Sequence, residues 1–378
     1  MSIKFERKLH IGLFTLFSVI AVSVLMLDIT DDEMNMYKAL AGLVCFTSFM
    51  LIGRNNKLKK KAILYASIAT LLMVMSMLYN ENARPVNILW IWAYLGVALI
   101  LYEYGIPKWL AFVLFYAFSA FLCFLAFRGE VQSNEVIEHG SANNVSILCI
   151  YCLFVYYLSV RDVSYKMLPY LPIIVIAFLS LWTGNRSGII SSGVFFVAVL
   201  IINNKFSAKG HKRLQNTFLL IAVAIIVVYF FLYYYSQFDV ALENKVDRGG
   251  GMSSARTFIW TEYLGGMFDS LGNFIFGVPG NSTLYPYLSY YAGNPHNSFL
   301  MAHAKFGLAG FLIVLYVVMR TAWMSKQRKD YVIGALLVIV VVRSFFDWTA
   351  FPGLYDVMFW YFIFYIGQKL STRKTAIK

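Results

Sequence analysis

The feature that most constrains this fold is a series of apolar runs, each close to the length of a helix that crosses a lipid bilayer. Such a helix needs about 20 mostly apolar residues. Hydrophobic residues make up 60% of the 378 and charged residues 13%, whereas a soluble domain is closer to half apolar and a quarter charged. The sequence therefore predicts an all-α polytopic membrane protein with about twelve transmembrane helices.

Breaks at charged residues and at Gly- or Pro-rich stretches delimit the predicted spans. Helices packed side by side in a bilayer form one bundle, so we expect a single transmembrane domain over residues 1–378. The predicted spans are 9–27, 37–53, 62–79, 88–102, 109–127, 143–160, 167–182, 188–202, 217–235, 297–319, 331–346 and 354–368.

The distribution of basic residues predicts the orientation, because cytoplasmic loops of membrane proteins are enriched in Lys and Arg. With the N-terminus inside, 23 of the 32 Lys and Arg residues lie on the cytoplasmic side, six lie on the opposite side and three fall within spans. The net charge of +13 is thus explained by membrane orientation, and no nucleic-acid partner is expected. Both termini are predicted to be cytoplasmic, in a bacterial inner membrane.

The predicted loops are short except for residues 236–296, a large extracytoplasmic loop between spans 9 and 10. Within it, Ser253 or Ser254 could cap a helix. The apolar residues Trp260, Leu264, Met267 and Leu271 recur there at helical spacing. We expect this helix to lie flat on the membrane surface.

The sequence offers little sign of metal, cofactor or redox chemistry. The outer loops lack a His, Asp and Glu cluster at ligand spacing, and no P-loop, GxSxG or HExxH motif occurs. The CxxC of Cys149 and Cys152 falls inside a predicted span, where such chemistry is unusual. We therefore expect no metal site and no cofactor.

Arg186 is the first candidate functional residue, in the tight turn 183–188 that joins spans seven and eight. Snorkelling towards the lipid headgroups is one interpretation. The other is that Arg186 clamps an anionic group at the mouth of the bundle, because a guanidinium binds phosphate through paired donors.

Two further arginines lie in the large loop. Arg256 precedes Trp260 by one helical turn, so a structural cation–π stack competes with a functional role. Arg248 stands in the glycine-rich stretch 247–251, where mobility would help to close over a substrate, although a solvated loop charge explains it as well.

His296 lies where the large loop returns to the membrane, and its ordinary pKa suits proton transfer. His303 follows two helical turns later and is expected to pack in the bundle. Lys305 and Arg343 fall at or inside span ends, where a charge usually faces a polar cavity. Arg343 has Asp347 four residues on, which favours an internal ion pair.

Three stretches between residues 180 and 312 share one predicted side of the membrane: Asn185–Gly188, Arg256 with Trp260 and the turn Phe276–Gly280, and His296–Leu300 with Gly307 and Gly310. In their order and spacing they together resemble the O-antigen polymerase and O-antigen ligase superfamily, glycosyltransferases of the bacterial inner membrane. Arg84 in the second outer loop adds a weaker match.

The resemblance implies metal-independent transfer of a glycan from a polyprenyl-pyrophosphate donor to a sugar hydroxyl, at a site on the periplasmic side. Arg186 and Arg256 would stabilise the pyrophosphate, and His296 would accept or orient the acceptor proton. Asn297 would position His296 or the sugar. Arg248 and Arg84 complete the predicted substrate-binding residues.

The family divides into polymerases, which join repeat units, and ligases, which transfer glycan to lipid A core. The short chain and its 18% aromatic content favour a polymerase, with capsule or exopolysaccharide as other products and a chain-length regulator as a possible partner. A lipid-linked glycan flippase and a purely structural subunit are the competing classes. A flippase would place more charge inside the spans.

Overall fold

A computed structural model describes residues 2–23, 31–80, 82–128, 143–161, 168–206, 255–291 and 293–368 of the chain. This part is helical, and the predicted all-α class is confirmed for it. The helices are α1 (Ile3–Ser23), α2 (Asp31–Ile52), α3 (Asn56–Asn80), α4 (Pro85–Tyr104), α5 (Lys108–Arg128), α6 (Asn143–Val160), α7 (Leu171–Trp182), α8 (Arg186–Phe206), α9 (Ala255–Asp269), α10 (Leu271–Phe276), α11 (Pro286–Tyr290), α12 (Ser298–Gln327), α13 (Tyr331–Phe346) and α14 (Asp356–Ile366).

Within these residues, six helices are long and apolar enough to cross a membrane, namely α2, α3, α4, α5, α8 and α12. Four shorter helices, α6, α7, α13 and α14, are also apolar. Helix α1 overlaps the first predicted span but carries several charges. The predicted span 217–235 lies outside the described residues, so the total of twelve spans stays a prediction.

Helix α4 lies at the centre of one half of the bundle. Every residue from Ala93 to Leu101 is buried, as expected for a helix that has neighbours on all sides. It packs against α1, α2, α3 and α14. A Cβ atom on Gly96 would lie 2.4 Å from the Phe46 backbone nitrogen, so this glycine lets α2 and α4 approach closely, as small residues do between membrane helices.

Contacts between helix ends agree with the predicted alternation of direction. At one end, the Tyr104 hydroxyl donates to Glu6 at 2.6 Å, and Arg54 pairs with Glu6 at 3.1 Å. Arg161 pairs with Asp330 at 2.6 Å. All five side chains fall on the side that we predict to be cytoplasmic from the basic residues.

The predicted helix is present as α9, which ends at Asp269, so that Leu271 opens α10; its position on the membrane surface stays a prediction. Met267 is buried, whereas Leu264 is 46% and Leu271 is 74% exposed. The face that packs inward is set by Ile259 and Tyr263, both fully buried. The neighbouring helices decide this face, because α9 packs against α10 and α11.

Together these helices enclose a second, small hydrophobic core beside the bundle. It consists of Ile259, Tyr263, Met267, Val278, Tyr285, Leu288, Met301 and Ala304. The last two residues belong to α12, so the core fixes the surface helices to the bundle.

Helix α12 bends at Gly307, whose φ of 67° and ψ of −171° are not helical. A bend of this kind disrupts the helical hydrogen bonds around it, and polar atoms inside a membrane protein need partners. Ser76 and Asn80 of α3 supply them, donating to the Ala304 carbonyl at 3.1 and 3.0 Å. Asn80 also donates to the Phe276 carbonyl at 2.7 Å, so α3, α10 and α12 are joined at the bend.

Candidate active site

Four segments meet at the end of the bundle opposite the Glu6 and Arg161 clusters. They are the start of α8, the first turns of α9, the turn before α12 and the segment that follows α13. Each one carries a charged or titratable side chain, and the contacts below connect them.

The turn before α8 presents Arg186 at the surface. Gly184 takes a φ of 62°, a left-handed conformation that glycine adopts readily. The Asn185 side chain accepts from Gly188 N at 2.9 Å and donates to Ser146 Oγ at 2.6 Å. This buried amide caps α8 and fixes it to α6, so the exposed Arg186 projects from a rigid turn.

Arg256, in the first turn of α9, lies close enough to Arg186 for the two guanidinium charges to repel each other. Helix α9 is held over the site by Trp260, whose indole nitrogen donates to the Pro295 carbonyl at 2.8 Å. The same ring packs edge-on against Phe345, with centroids 5.5 Å apart. Two cations from separate elements are therefore near enough to interact electrostatically at this end of the bundle.

His296 follows Pro295 in the turn that leads into α12. Its φ of 48° is in the left-handed region, which is uncommon outside glycine and frequently marks a functional position. The Asn294 side chain stabilises this turn by accepting from His296 N at 2.8 Å. The imidazole also contacts the Tyr291 ring edge-on, and its side chain is 25% exposed.

Asp347 is the residue on which these groups converge. Its Oδ1 lies 3.7 Å from His296 Nδ1, a contact longer than a hydrogen bond. Its Oδ2 accepts from both terminal nitrogens of the fully buried Arg343, at 3.3 and 3.2 Å. The predicted ion pair between Arg343 and Asp347 is therefore confirmed.

The pKa of the Asp347 carboxyl lies below its ordinary value. Burial raises this pKa, but contact with His296 and the positive charges of Arg343 and Arg256 outweigh burial, and the Trp348 N–H donates to the carboxylate as well. Asp347 is therefore ionised at neutral pH. From the sequence we expect Asp347 only as the partner of Arg343, and its place in the site comes from the tertiary structure.

A buried hydroxyl joins the Asp347 segment to the His296 turn. Ser298 Oγ donates to the Asp347 carbonyl at 2.8 Å and accepts from Thr349 N at 2.9 Å. Because Ser298 is the first residue of α12 and is fully buried, the separation between His296 and Asp347 is set by the backbone on both sides.

The remaining predicted residues have different surroundings. Asn297 is buried and caps α12, where its side-chain oxygen accepts from Phe299 N at 2.9 Å and Leu300 N at 3.2 Å. Arg84 is exposed just before α4 and lies near Lys305. Arg248 lies outside the described residues. Contact of these three with a substrate stays a prediction.

His303 is a structural residue, as predicted. It is 1% exposed, with Tyr263 Oη 2.8 Å from Nδ1 and the Phe274 carbonyl 2.9 Å from Nε2. Since the carbonyl can only accept, Nε2 carries the proton and Tyr263 donates to Nδ1. The ring thus holds α9 and α10 against α12.

Among the described residues, no group of three or more His, Cys, Asp and Glu side chains could hold a metal ion. The side chains gathered at the site are mainly cationic. Such an arrangement suits an anionic ligand such as a phosphate ester.

The fold and these contacts define a multi-pass helical membrane protein with a cation-rich polar site at one end of its bundle. Residues 171–315 match the family model described as O-antigen ligase. This segment contains Arg186, Arg256 and His296, and it confirms the resemblance to the O-antigen polymerase and ligase superfamily. A comparison with curated proteins gives no significant match.

Proposed function

We propose that this protein is a membrane glycosyltransferase that polymerises polyprenyl-pyrophosphate-linked oligosaccharide units into O-antigen or a related surface polysaccharide. The observation that carries the proposal is that Arg256 lies within electrostatic range of both Arg186 and Asp347, and that Asp347 contacts His296. The O-antigen ligase domain over residues 171–315 supports the same reaction class.

In this proposal Arg186 and Arg256 hold the pyrophosphate of the donor. The two guanidinium charges repel, and a pyrophosphate bound by both would compensate them with paired hydrogen bonds. The leaving pyrophosphate gains negative charge as the glycosidic bond breaks. Preorganised cations stabilise that charge, so the mechanism we propose is metal-independent.

His296 acts as the general base. The Asp347 carboxylate faces Nδ1 and favours the tautomer with its proton on that nitrogen, which leaves Nε2 to receive a proton. The acceptor hydroxyl attacks the anomeric carbon as its proton passes to His296. The bond between that carbon and the pyrophosphate oxygen breaks, and its electron pair stays on the pyrophosphate.

The second candidate is an O-antigen ligase, which would transfer the lipid-linked glycan to lipid A core. The description of the matching family model favours it. The two activities share the donor and the chemistry above and differ in the acceptor.

We place either enzyme in the bacterial inner membrane, with cytoplasmic termini, a periplasmic site and a chain-length regulator as a partner of the polymerase.

Deletion of the gene, followed by gel analysis of surface polysaccharide, tests the proposal. Single repeat units on the core would support a polymerase. A bare core with accumulated lipid-linked polymer would indicate a ligase, and lipid-linked units retained on the cytoplasmic side would indicate a flippase. Complementation with wild type and with His296→Ala, matched for membrane abundance, then tests whether the site is responsible.

A further inference from the structure

A second pair of cations lies at the outer end of α3, apart from the pair Arg186 and Arg256. Lys305 is mostly buried, and its ammonium donates to the Asn82 carbonyl. Arg84 lies close enough for its charge to act on Lys305. An ammonium has three donors, so the bond to Asn82 leaves capacity for a further acceptor.

This like-charged pair is costly without a ligand. A lysine in a membrane helix is expensive and usually marks a binding or transport pathway, and a neighbouring guanidinium adds repulsion. An anionic group next to Lys305 and Arg84 would offset both costs. The arrangement parallels the repulsion between Arg186 and Arg256.

An apolar cleft of about 260 Å³ lies between α3 and α12, and its lining on α12 starts at the residue after Lys305. Phe306, Leu308 and Ala309, which line it, follow Lys305 directly on α12, and Phe276 of α10 lines it as well. The bend at Gly307 shapes this part of α12. The remaining lining residues are Leu72, Met75, Ile275 and Leu312.

Rigid contacts position the cleft relative to the cation pair. Asn82, whose backbone carbonyl receives the Lys305 ammonium, donates through its side chain to the Val278 carbonyl at 2.6 Å and accepts from Gly280 N at 2.5 Å. The turn that follows α10 is thereby fixed at the outer end of the cleft.

An apolar cleft with two cations near its outer end matches an amphiphile with one linear chain and an anionic headgroup. We propose that α3 and α12 bind the polyprenyl chain of a second lipid-linked glycan, with Lys305 and Arg84 on its pyrophosphate. The cleft volume of about 260 Å³ suits part of one chain more than the several acyl chains of lipid A. This inference rests on the proposed function and locates the binding site of the second lipid-linked substrate, at α3 and α12.

Binding of polyprenyl pyrophosphate to the purified full-length protein in phosphatidylcholine nanodiscs tests the inference. We expect two bound molecules per wild-type chain and one in the double variant Arg84→Gln, Lys305→Met. The double variant Arg186→Ala, Arg256→Ala should also bind one. Arg320→Gln, at the opposite end of α12, is the matched charge control and should bind two.

Filling the cleft tests the chain-binding part separately. Ala309 is exposed and lines the cleft, so Ala309→Phe should weaken binding at the second site by about tenfold or more. Ala322 is exposed on the same helix near its other end, and Ala322→Phe should leave binding unchanged. Equal loss in both variants would contradict the inference.

Each outcome distinguishes the two proposals. One site in wild type, lost only in the Arg186 and Arg256 variant, would overturn the second site and leave the proposed function intact. Displacement from the second site by an equal amount of phosphatidylglycerol would show a general phospholipid site and would also overturn it. Binding that is insensitive to Arg186 and Arg256 would contradict the proposed function instead.

Discussion

His296 Nδ1 lies 3.7 Å from Asp347 Oδ1, although the whole of α12 and α13 separates the two residues in the chain. The contact is fixed from both sides, because Ser298 bonds to the backbone of the Asp347 segment. It joins the candidate base to a carboxylate that is itself held by Arg343.

The first prediction concerns His296 as the general base. His296→Ala should lower turnover by roughly a hundred- to ten-thousand-fold at unchanged membrane abundance, because the acceptor proton then has no positioned base. His296→Gln can donate and accept but cannot take up a proton, so it should not restore turnover. The measurement is in vitro transfer from a purified lipid-linked donor.

Two results would change this account. Substantial rescue by His296→Gln would assign His296 to orienting the acceptor. Near wild-type turnover in His296→Ala would leave a site that works through the arginines alone. His303→Gln is a control, since His303 is buried between α9, α10 and α12, and it should affect folded yield more than turnover per folded molecule.

A second prediction concerns the binding of the donor's pyrophosphate by Arg186. Arg186→Lys should impair transfer almost as severely as Arg186→Ala, because lysine keeps the charge but loses the planar paired donors. Transfer rates and donor binding of both variants, compared at equal protein level, provide the test. Full activity of the lysine variant would show that a positive charge alone is sufficient at this turn.

A third prediction concerns the stability of the buried pair Arg343 and Asp347. Asp347→Asn should lower the free energy of unfolding by about 3 kcal/mol, since removing one partner leaves a buried charge uncompensated. Glu103→Gln alters an exposed carboxylate at the other end of the bundle and should have little effect. Thermal unfolding in detergent measures both.

The difference in free energy of unfolding between wild type and Asp347→Asn should depend on pH, because the pKa of Asp347 is lowered. A carboxyl whose folded pKa is depressed stabilises the fold above its unfolded pKa, near 3.9, and loses this stabilisation as pH falls through the folded value. The gap between wild type and Asp347→Asn should therefore be constant from about pH 7 to pH 5 and close below about pH 4. A gap that persists at lower pH would show that the charge is not its origin.

A fourth prediction concerns the bend in α12. Gly307 has φ and ψ that only glycine adopts readily, and a Cβ there would lie 2.3 Å from the Ile275 carbonyl. Gly307→Ala should destabilise the protein by at least about 2 kcal/mol. Gly193 has open space around it in α8, so Gly193→Ala should be neutral or slightly stabilising. Equal melting temperatures for the two variants would contradict the role of the bend.

A fifth prediction concerns topology. Reporter fusions at Lys59, Lys209 and Lys326 should report a cytoplasmic location, and fusions at Asp32, Gln132 and Gly250 the outside, because basic residues concentrate on one side. An outside location for Lys209 would overturn the orientation and the periplasmic placement of the site.

The sequence by itself determined the helical class, the approximate positions of the apolar helices and three residues of the candidate site. Each of these has a local signal. Apolar runs of spanning length specify helices in a bilayer. Arg186 lies in a tight turn, Arg256 one turn before a tryptophan, and His296 immediately before a helix start, so each is recognisable within a few residues.

Only the tertiary structure decided which of these residues meet. Asp347 joins His296 because α12 and α13 return the chain to the same end of the bundle, and no local pattern encodes that return. Likewise, neighbouring helices set the buried face of α9, and Ser76 and Asn80 of α3 supply donors at the bend of α12. Contacts between segments far apart in the chain depend on packing, which a single sequence specifies only through the whole fold.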